Sequence, residues 1–341
     1  MIKLNATGHN AIYLDHSALI NKSYNKYTDD HQKYQLQPHL FDFKPKLQKD
    51  LQETIPKQRK RKSKTTTNLS PETIELKLTC TNLLEKLKES GEDFKYFQQK
   101  YEESISRVWE EPTVFPQFHG ANTRNDFQKF TLNNREYLIP PQSRFFNHDL
   151  VKLQEIKTCL DKYDFIVLDP PWKNKYIRRL KKAKQELGYK MLDNNLLSDI
   201  ELTSVIHSNS IVAIWCTNSK QHQQRMLEEF FPRWDLKLIH KIVWLKLNTE
   251  GQLISEINEE GKKQPYEVLF IASHNDSTKD FKEIRKLEFI LSVPKNPKSL
   301  ELFARYLQPD FTSIGLEVLK LMDSRLYFEE ETTNQAESGS S

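Results

Sequence analysis

The spacing of apolar and polar positions is weak at the start of the chain and regular further on. Residues 1–70 are rich in Asn, Lys, Gln, Tyr and His, with Phe41-Asp42-Phe43 and Leu47 as isolated apolar points. That stretch reads as a largely disordered arm. Ser70-Pro71-Glu72 then supplies an N-cap residue, a first-turn proline and an early acid, which predicts a helix start. Ile74, Leu76, Leu78, Leu83, Leu84 and Leu87 give that helix an apolar face, and Ser90-Gly91 stops it. A second helix is predicted with Phe94, Phe97, Tyr101, Ile105, Val108 and Trp109 on one face, ended by Pro112 and Pro116. Aromatic residues at this spacing read as core, so residues 71–130 are expected to form a small helical accessory unit against the main domain.

From Tyr137 the pattern changes to short apolar runs separated by amphipathic stretches. Residues 163–168, 210–215, 240–245, 267–272, 300–303 and 311–316 read as strands, and Phe145-Phe146 as part of another. Residues 192–205 and 221–231 read as helices between them. This alternation predicts a mainly parallel, doubly wound α/β sheet over residues 131–328, followed by a disordered tail over 329–341.

Composition narrows the picture. With 37% apolar and 29% charged residues, the 341-residue chain is too polar to be one compact unit throughout. A net charge of only +4 puts partner choice on local basic clusters. One such cluster is Pro56-Lys57-Gln58-Arg59-Lys60-Arg61-Lys62-Ser63-Lys64, for which nuclear import, a phosphate-binding arm and a solvated linker are all open readings. Cys80, Cys159 and Cys216 form no C-x-x-C pair, which argues against zinc and disulfides and for a reducing compartment. No apolar run is long enough to span a membrane, and the polar N-terminus is no secretory signal, so an intracellular soluble protein is expected. His207, His222 and His240 lack metal-ligand spacing and read as structural, so no metal is expected.

The chemistry concentrates at Tyr163-Asp164-Phe165-Ile166-Val167-Leu168-Asp169-Pro170-Pro171-Trp172. An apolar run reading as a buried strand ends in Asp-Pro-Pro, which neither strand nor helix continues. Asp169 therefore stands at the carboxyl end of a strand, where open α/β sheets bind their ligands. An acid, a proline carbonyl and an indole fixed together suit an aromatic amine. The adenine amine is a poor nucleophile because its lone pair is delocalised. Acceptors for its two hydrogens re-localise that pair while an aromatic ring stacks on the extruded base. No G-x-G-x-x-G is present among only 8 glycines, which argues against a nicotinamide-type phosphate loop.

Asp169-Pro170-Pro171-Trp172 resembles the motif of the adenine amino-methyltransferases that include the mRNA adenosine methyltransferase. The resemblance extends through Tyr137-Leu138-Ile139-Pro140-Pro141, Trp172-Lys173-Asn174-Lys175, Trp215-Cys216-Thr217-Asn218, Pro265-Tyr266-Glu267 and Leu300-Glu301-Leu302-Phe303-Ala304-Arg305. These motifs look like those of the methyltransferase-like protein 4 branch. The resemblance implies a permuted Rossmann-like S-adenosylmethionine methyltransferase sheet with helices on both faces, joined here by the small N-terminal helical unit. It also implies S-adenosylmethionine as cofactor and no metal.

By the same resemblance, Asp169, Pro170, Pro171 and Trp172 are the catalytic set, with Asp169 also touching the cofactor. Asp149 and Leu150, after His148, resemble the step that holds the cofactor's adenine, although a plain turn is an equal reading. Arg305 resembles the residue that reaches the ribose. Gly315-Leu316-Glu317 stands where relatives carry Gly-Asn-Glu or Gly-Asn-Gln, so Gly315 and Glu317 are expected at the cofactor while Leu316 lacks the amide. Lys173, Lys175, Tyr176, Arg178, Arg179 and Tyr189 follow the motif in a basic stretch that, in the family, closes over substrate; a solvated helix face is the alternative. With Trp172 and Asn218 they make up the expected substrate-binding set.

One departure bears on activity. Between Leu291-Ser292-Val293-Pro294 and Leu300-Glu301 stand only Lys295-Asn296-Pro297-Lys298-Ser299, where relatives carry a longer turn and helix whose Lys reaches the cofactor carboxylate. A parallel crossover needs a dozen residues or more. Either the local topology differs or part of the cofactor site is absent, with Lys295 as the substitute candidate and a plain loop lysine as the alternative. The implied partner is nucleic acid, RNA favoured over DNA and small nuclear RNA with 2′-O-methyladenosine first. A monomer, the nucleus with some cytosol, and no membrane are expected; a partner subunit is the alternative.

Overall fold

The computed structural model describes residues 1–27, 33–37, 69–91, 115–170, 172, 197, 200–259, 264–294 and 306–330. The chain begins with a hairpin. Strands β1 (Ile2–Ala6) and β2 (His9–Tyr13) pair in register, Ala6 opposite His9. Thr7 and Gly8 form the two-residue turn with φ of 50° and 86°, both positive as a type I′ turn demands. Leu4, Ala6, Ala11 and Tyr13 are buried. The arm expected over residues 1–70 is corrected here: Lys3, Asn5 and Asn10 are the outward half of a period-2 pattern too short to stand out among polar neighbours. Helix α1 (His16–Tyr24) and strand β3 (Lys33–Leu36) follow.

Helix α2 (Pro71–Glu89) starts and stops where its capping residues predict. Ser70 Oγ accepts from the Thr73 N–H at 3.3 Å, and the Ser90 N–H donates to the Lys86 carbonyl at 3.1 Å. Thr79, Cys80, Leu83 and Leu87 are its buried stripe, and it packs on β1 and β2. The second predicted helix and the basic block 56–64 lie outside the described residues. The helical unit expected over 71–130 is also corrected, because its described C-terminal part is strand: β4 (Phe118–Asn122) and β5 (Gln128–Leu132), followed by β6 (Arg135–Ile139) and β7 (Ser143–Asn147). Asn133 and Asn134, both at positive φ, turn β5 into β6.

Strands β8 (Phe165–Leu168) and β9 (Ile211–Cys216) lead to helix α3 (Lys220–Arg225). It continues through a π turn, Met226–Phe230, into Phe231–Arg233. The helix predicted over 192–205 is, in its described part, one 3₁₀ turn at Leu202–Ser204. Strands β10 (Leu236–Lys246), β11 (Tyr266–His274), β12 (Phe289–Ser292), β13 (Thr312–Ile314) and β14 (Tyr327–Glu330) complete the order. No helix among the described residues is long and apolar enough to cross a membrane.

The fold is α/β, and the chain divides into two compact units. The first comprises Met1–Asp15, Phe41–Gln99 and Ile156–Leu300. It holds a seven-stranded sheet in the order β1-β2-β12-β10-β11-β9-β8. The β2–β12, β12–β10 and β9–β8 pairs are parallel, whereas β1–β2, β10–β11 and β11–β9 are antiparallel. The sheet is thus mixed and not mainly parallel, because an apolar run carries no sign of its direction. Strand β8 lies at one edge, so Phe165 is 43% exposed although its run reads as buried. Trp234, Trp244, Phe230 and Phe270 fill the core. The two buried indoles are satisfied: Trp234 Nε1 donates to the Ile200 carbonyl and Trp244 Nε1 to Ser292 Oγ, each at 2.7 Å.

The second unit comprises His16–Leu40, Lys100–Glu155 and Glu301–Ser341. Its three-stranded sheet runs β13-β7-β4, with β13 parallel to β7. Two-stranded pairs β14–β3 and β5–β6 complete it. Tyr24 is fully buried and donates to the Leu307 carbonyl at 3.0 Å, and Tyr327 donates to that of Leu321 at 2.9 Å. Burial pushes both phenols above their ordinary pKa.

Candidate catalytic site

In the first unit, β8 and β9 run parallel, with Leu168 opposite Ile214. Their carboxyl ends therefore lie side by side and release Asp169 and Thr217. Asp169 is half-buried, with Oδ2 sealed from solvent. The chain then doubles back, the Trp172 N–H donating to the Pro170 carbonyl at 2.8 Å. That bond takes one lone pair of the carbonyl oxygen and leaves the other. The Trp172 indole is 8% exposed, donates from Nε1 to the Trp215 carbonyl at 2.8 Å, and stacks on His222 at 5.0 Å. One indole face is therefore already covered by an imidazole, and Trp172 anchors its loop into β9. Pro171, Lys173, Lys175, Tyr176, Arg178, Arg179 and Tyr189 lie outside the described residues.

The same edge of the sheet carries a second polar group. Asn218 follows β9, and its Nδ2 donates to the Tyr266 carbonyl, which fixes the amide so that Oδ1 points the other way. Oδ1 is buried and has no hydrogen-bond partner among the described residues. A buried acceptor of this kind costs about 1–3 kcal/mol unless a donor meets it. Beside it Lys246, at the end of β10, pairs with Glu267 at 2.6 Å and lies 4.6 Å from the Trp244 ring centre. Cys216 is buried and its thiol is pushed up to about 12 by burial, which removes it as a nucleophile. His207 contacts Asp164 and His240 contacts the Leu287 carbonyl. No group of His, Cys, Asp or Glu among the described residues is arranged to hold a metal ion.

In the second unit, β13 runs parallel to β7, and the Gly315 N–H donates to the Phe146 carbonyl at 3.1 Å. This places Gly315-Leu316-Glu317 beside Asn147-His148-Asp149-Leu150 at the carboxyl ends of two adjacent strands. Four of the expected cofactor residues, Asp149, Leu150, Gly315 and Glu317, are thus brought to one place. Glu317 pairs with Lys320 at 2.7 Å, and Leu316 is 45% exposed. Lys295 and Arg305 lie outside the described residues. Asn147, which the sequence reading missed, is fully buried; its Nδ2 donates to the Pro116 carbonyl at 2.8 Å while Oδ1 has no partner among the described residues. An amide at a strand's carboxyl end was the signal available for it.

Residues 163–294 match the MT-A70 family model. Over that stretch the chain is similar to the MT-A70 family. The chain is 30% identical over 217 residues to human N(6)-adenine-specific methyltransferase METTL4, covering 56% of this chain and 44% of the relative. It is 31% identical over 217 residues to the N6-methyladenosine RNA methyltransferase MTA1 of Pyricularia oryzae, 55% of each. It is 26% identical over 212 residues to the DNA N6-methyl methyltransferase of Caenorhabditis elegans, 56% of each. The chain therefore spans about half the length of the curated relatives it matches. These likenesses support the MT-A70 family and its METTL4 branch. MT-A70 methyltransferases use S-adenosylmethionine. The buried acceptor of Asn147, with Asp149 and Gly315 at the same strand ends, fits the amine-bearing adenosine part of that cofactor.

Proposed function

We propose that this chain methylates the exocyclic amine of adenine in nucleic acid. The observation that carries the reading is Asp169-Pro170 at the carboxyl end of β8, its loop pinned by the buried Trp172. S-adenosylmethionine, when bound, supplies a sulfonium-activated methyl group. Asp169 accepts one hydrogen of the amine, and the remaining lone pair of the Pro170 carbonyl accepts the other. Both bonds draw the nitrogen lone pair out of the ring and toward reaction. Asn218 Oδ1 provides a further acceptor at the neighbouring strand end for the extruded base or its sugar. Asn147, Asp149, Leu150 and Gly315 are the residues we assign to the adenosine part of the cofactor.

RNA is the favoured substrate class, small nuclear RNA with 2′-O-methyladenosine first and DNA adenine second. The names of the relatives support adenine methylation in RNA and in DNA, at that coarser level. We further propose a nuclear protein with some cytosolic population, the block 56–64 serving import, and a monomer that works without a partner subunit. A second reading, a nucleic-acid-binding form with a weakened cofactor site, is favoured by Leu316, which is exposed and lacks the side-chain amide of the resembled pattern.

The test is methyl transfer from labelled S-adenosylmethionine to adenine-containing oligoribonucleotides and oligodeoxynucleotides. Wild type should label adenine N6, and Asp169→Asn should lose about 100-fold or more in kcat with an unchanged circular dichroism spectrum. Full turnover by Asp169→Asn would sink the assignment. Nucleic-acid binding without cofactor binding would favour the second reading.

A further inference from the structure

Trp172 is held by a residue outside the motif. Its indole lies on the His222 imidazole with ring centres 5.0 Å apart and planes 22° apart, and each residue is 8% exposed. His222 is itself fixed from two sides. The His222 N–H donates to Ser219 Oγ, the N-cap of α3, at 3.4 Å. Thr217 Oγ1 stands 2.8 Å from His222 Nδ1. That hydroxyl oxygen also accepts the Ser219 N–H at 3.4 Å, which holds it in place beside Nδ1. The ring cannot rotate without breaking the Thr217 contact. Gln223 Nε2 donates to the Thr217 carbonyl at 3.1 Å and closes the turn that carries Asn218.

We propose that His222 is a positioning residue for methyl transfer: its ring sets the plane of Trp172, and through the Trp172 N–H to Pro170 carbonyl bond it aims the amine acceptor. The same Thr217–His222 contact holds the start of the Asn218 turn, so one imidazole ties together the two strand-end loops of the site. A residue that merely filled space would be replaceable by any side chain of similar volume. A positioning ring is replaceable only by another flat ring in the same plane. This inference rests on the reading of Asp169–Trp172 as the amine-binding loop, and its test has one arm that is independent of turnover.

In the turnover arm, His222→Ala and His222→Leu should each lower kcat about 10- to 100-fold, the scale of an ångström-sized misplacement, with KM for S-adenosylmethionine unchanged. His222→Phe should recover most of that loss. The Leu variant fills the volume, so equal thermal stability with lost kcat separates positioning from packing. In the second arm, hydroxyl-radical footprinting with mass spectrometry reads oxidation of Trp172 by itself: protected in wild type and His222→Phe, oxidised in His222→Ala and His222→Leu. Wild-type kcat in the Leu variant, or Trp172 still protected in it, overturns the proposal. A wild-type protein that transfers no methyl group overturns the functional reading instead, while the footprint still decides whether His222 holds Trp172.

Discussion

The imidazole of His222 is held below its ordinary pKa of 6.5, first by burial and second by the charge of Arg225. An unfolded chain takes up this proton near 6.5, while the folded one resists it to lower pH. Stability is therefore fully present above 6.5 and is lost as pH falls through that value toward the depressed folded one. Urea unfolding followed from neutral to mildly acid pH should show this slope, and His222→Phe should flatten it. Trp172 invites a second measurement at this scale. Trp172→Phe keeps a ring against His222 but leaves the buried Trp215 carbonyl without its indole donor. A loss of about 1–3 kcal/mol in unfolding free energy is expected. The place of Asp169 and Pro170 just past a strand was legible in the sequence because proline fixes the backbone whatever surrounds it; the burial of the Trp172 indole under His222 was not. His222 and Asn147 were not, since their roles come from contacts with residues distant in sequence, Trp172 and Pro116.

Among elements, the hairpin of β1 and β2 has a weak point that its sequence allows to be repaired. Thr7 adopts a φ of 50° in a turn that favours Asn at that position, and a β-branched residue there is strained. Thr7→Asn should raise the thermal midpoint, with a gain of up to about 1 kcal/mol. Gly8→Ala meets no atom within 4 Å but sits at a φ of 86°, so it should cost about 1 kcal/mol through the backbone alone. Helix α2 was readable because Ser70 and Pro71 act locally, through capping and a missing donor that the first turn does not need. Strand direction was not readable, and neither was the place of the hairpin, since both are settled by partners such as β12 that lie far along the chain. β10 and β2 fill both edges of β12, and the strand expected at 300–303 lies outside the described residues.

For the whole molecule, the three thiols divide sharply. Cys80 and Cys216 are buried, each pushed up to about 12 by burial, whereas Cys159 is exposed. Alkylation of the native protein at mildly basic pH should modify Cys159 alone, and all three cysteines after denaturation; intact-mass spectrometry counts them. The sheet also joins the two ends of its unit's chain, Ala11 lying opposite Phe289. During synthesis at about 5–20 residues per second, the N-terminal hairpin leaves the ribosome roughly 15–60 s before its neighbour strand exists. Over that interval the outer edge of β2 offers unpaired backbone groups to any other strand nearby, including the hairpin of a second nascent chain. Strands made well before β12 are thus among the last to find their place, and yield on overexpression should depend on how that waiting edge is shielded.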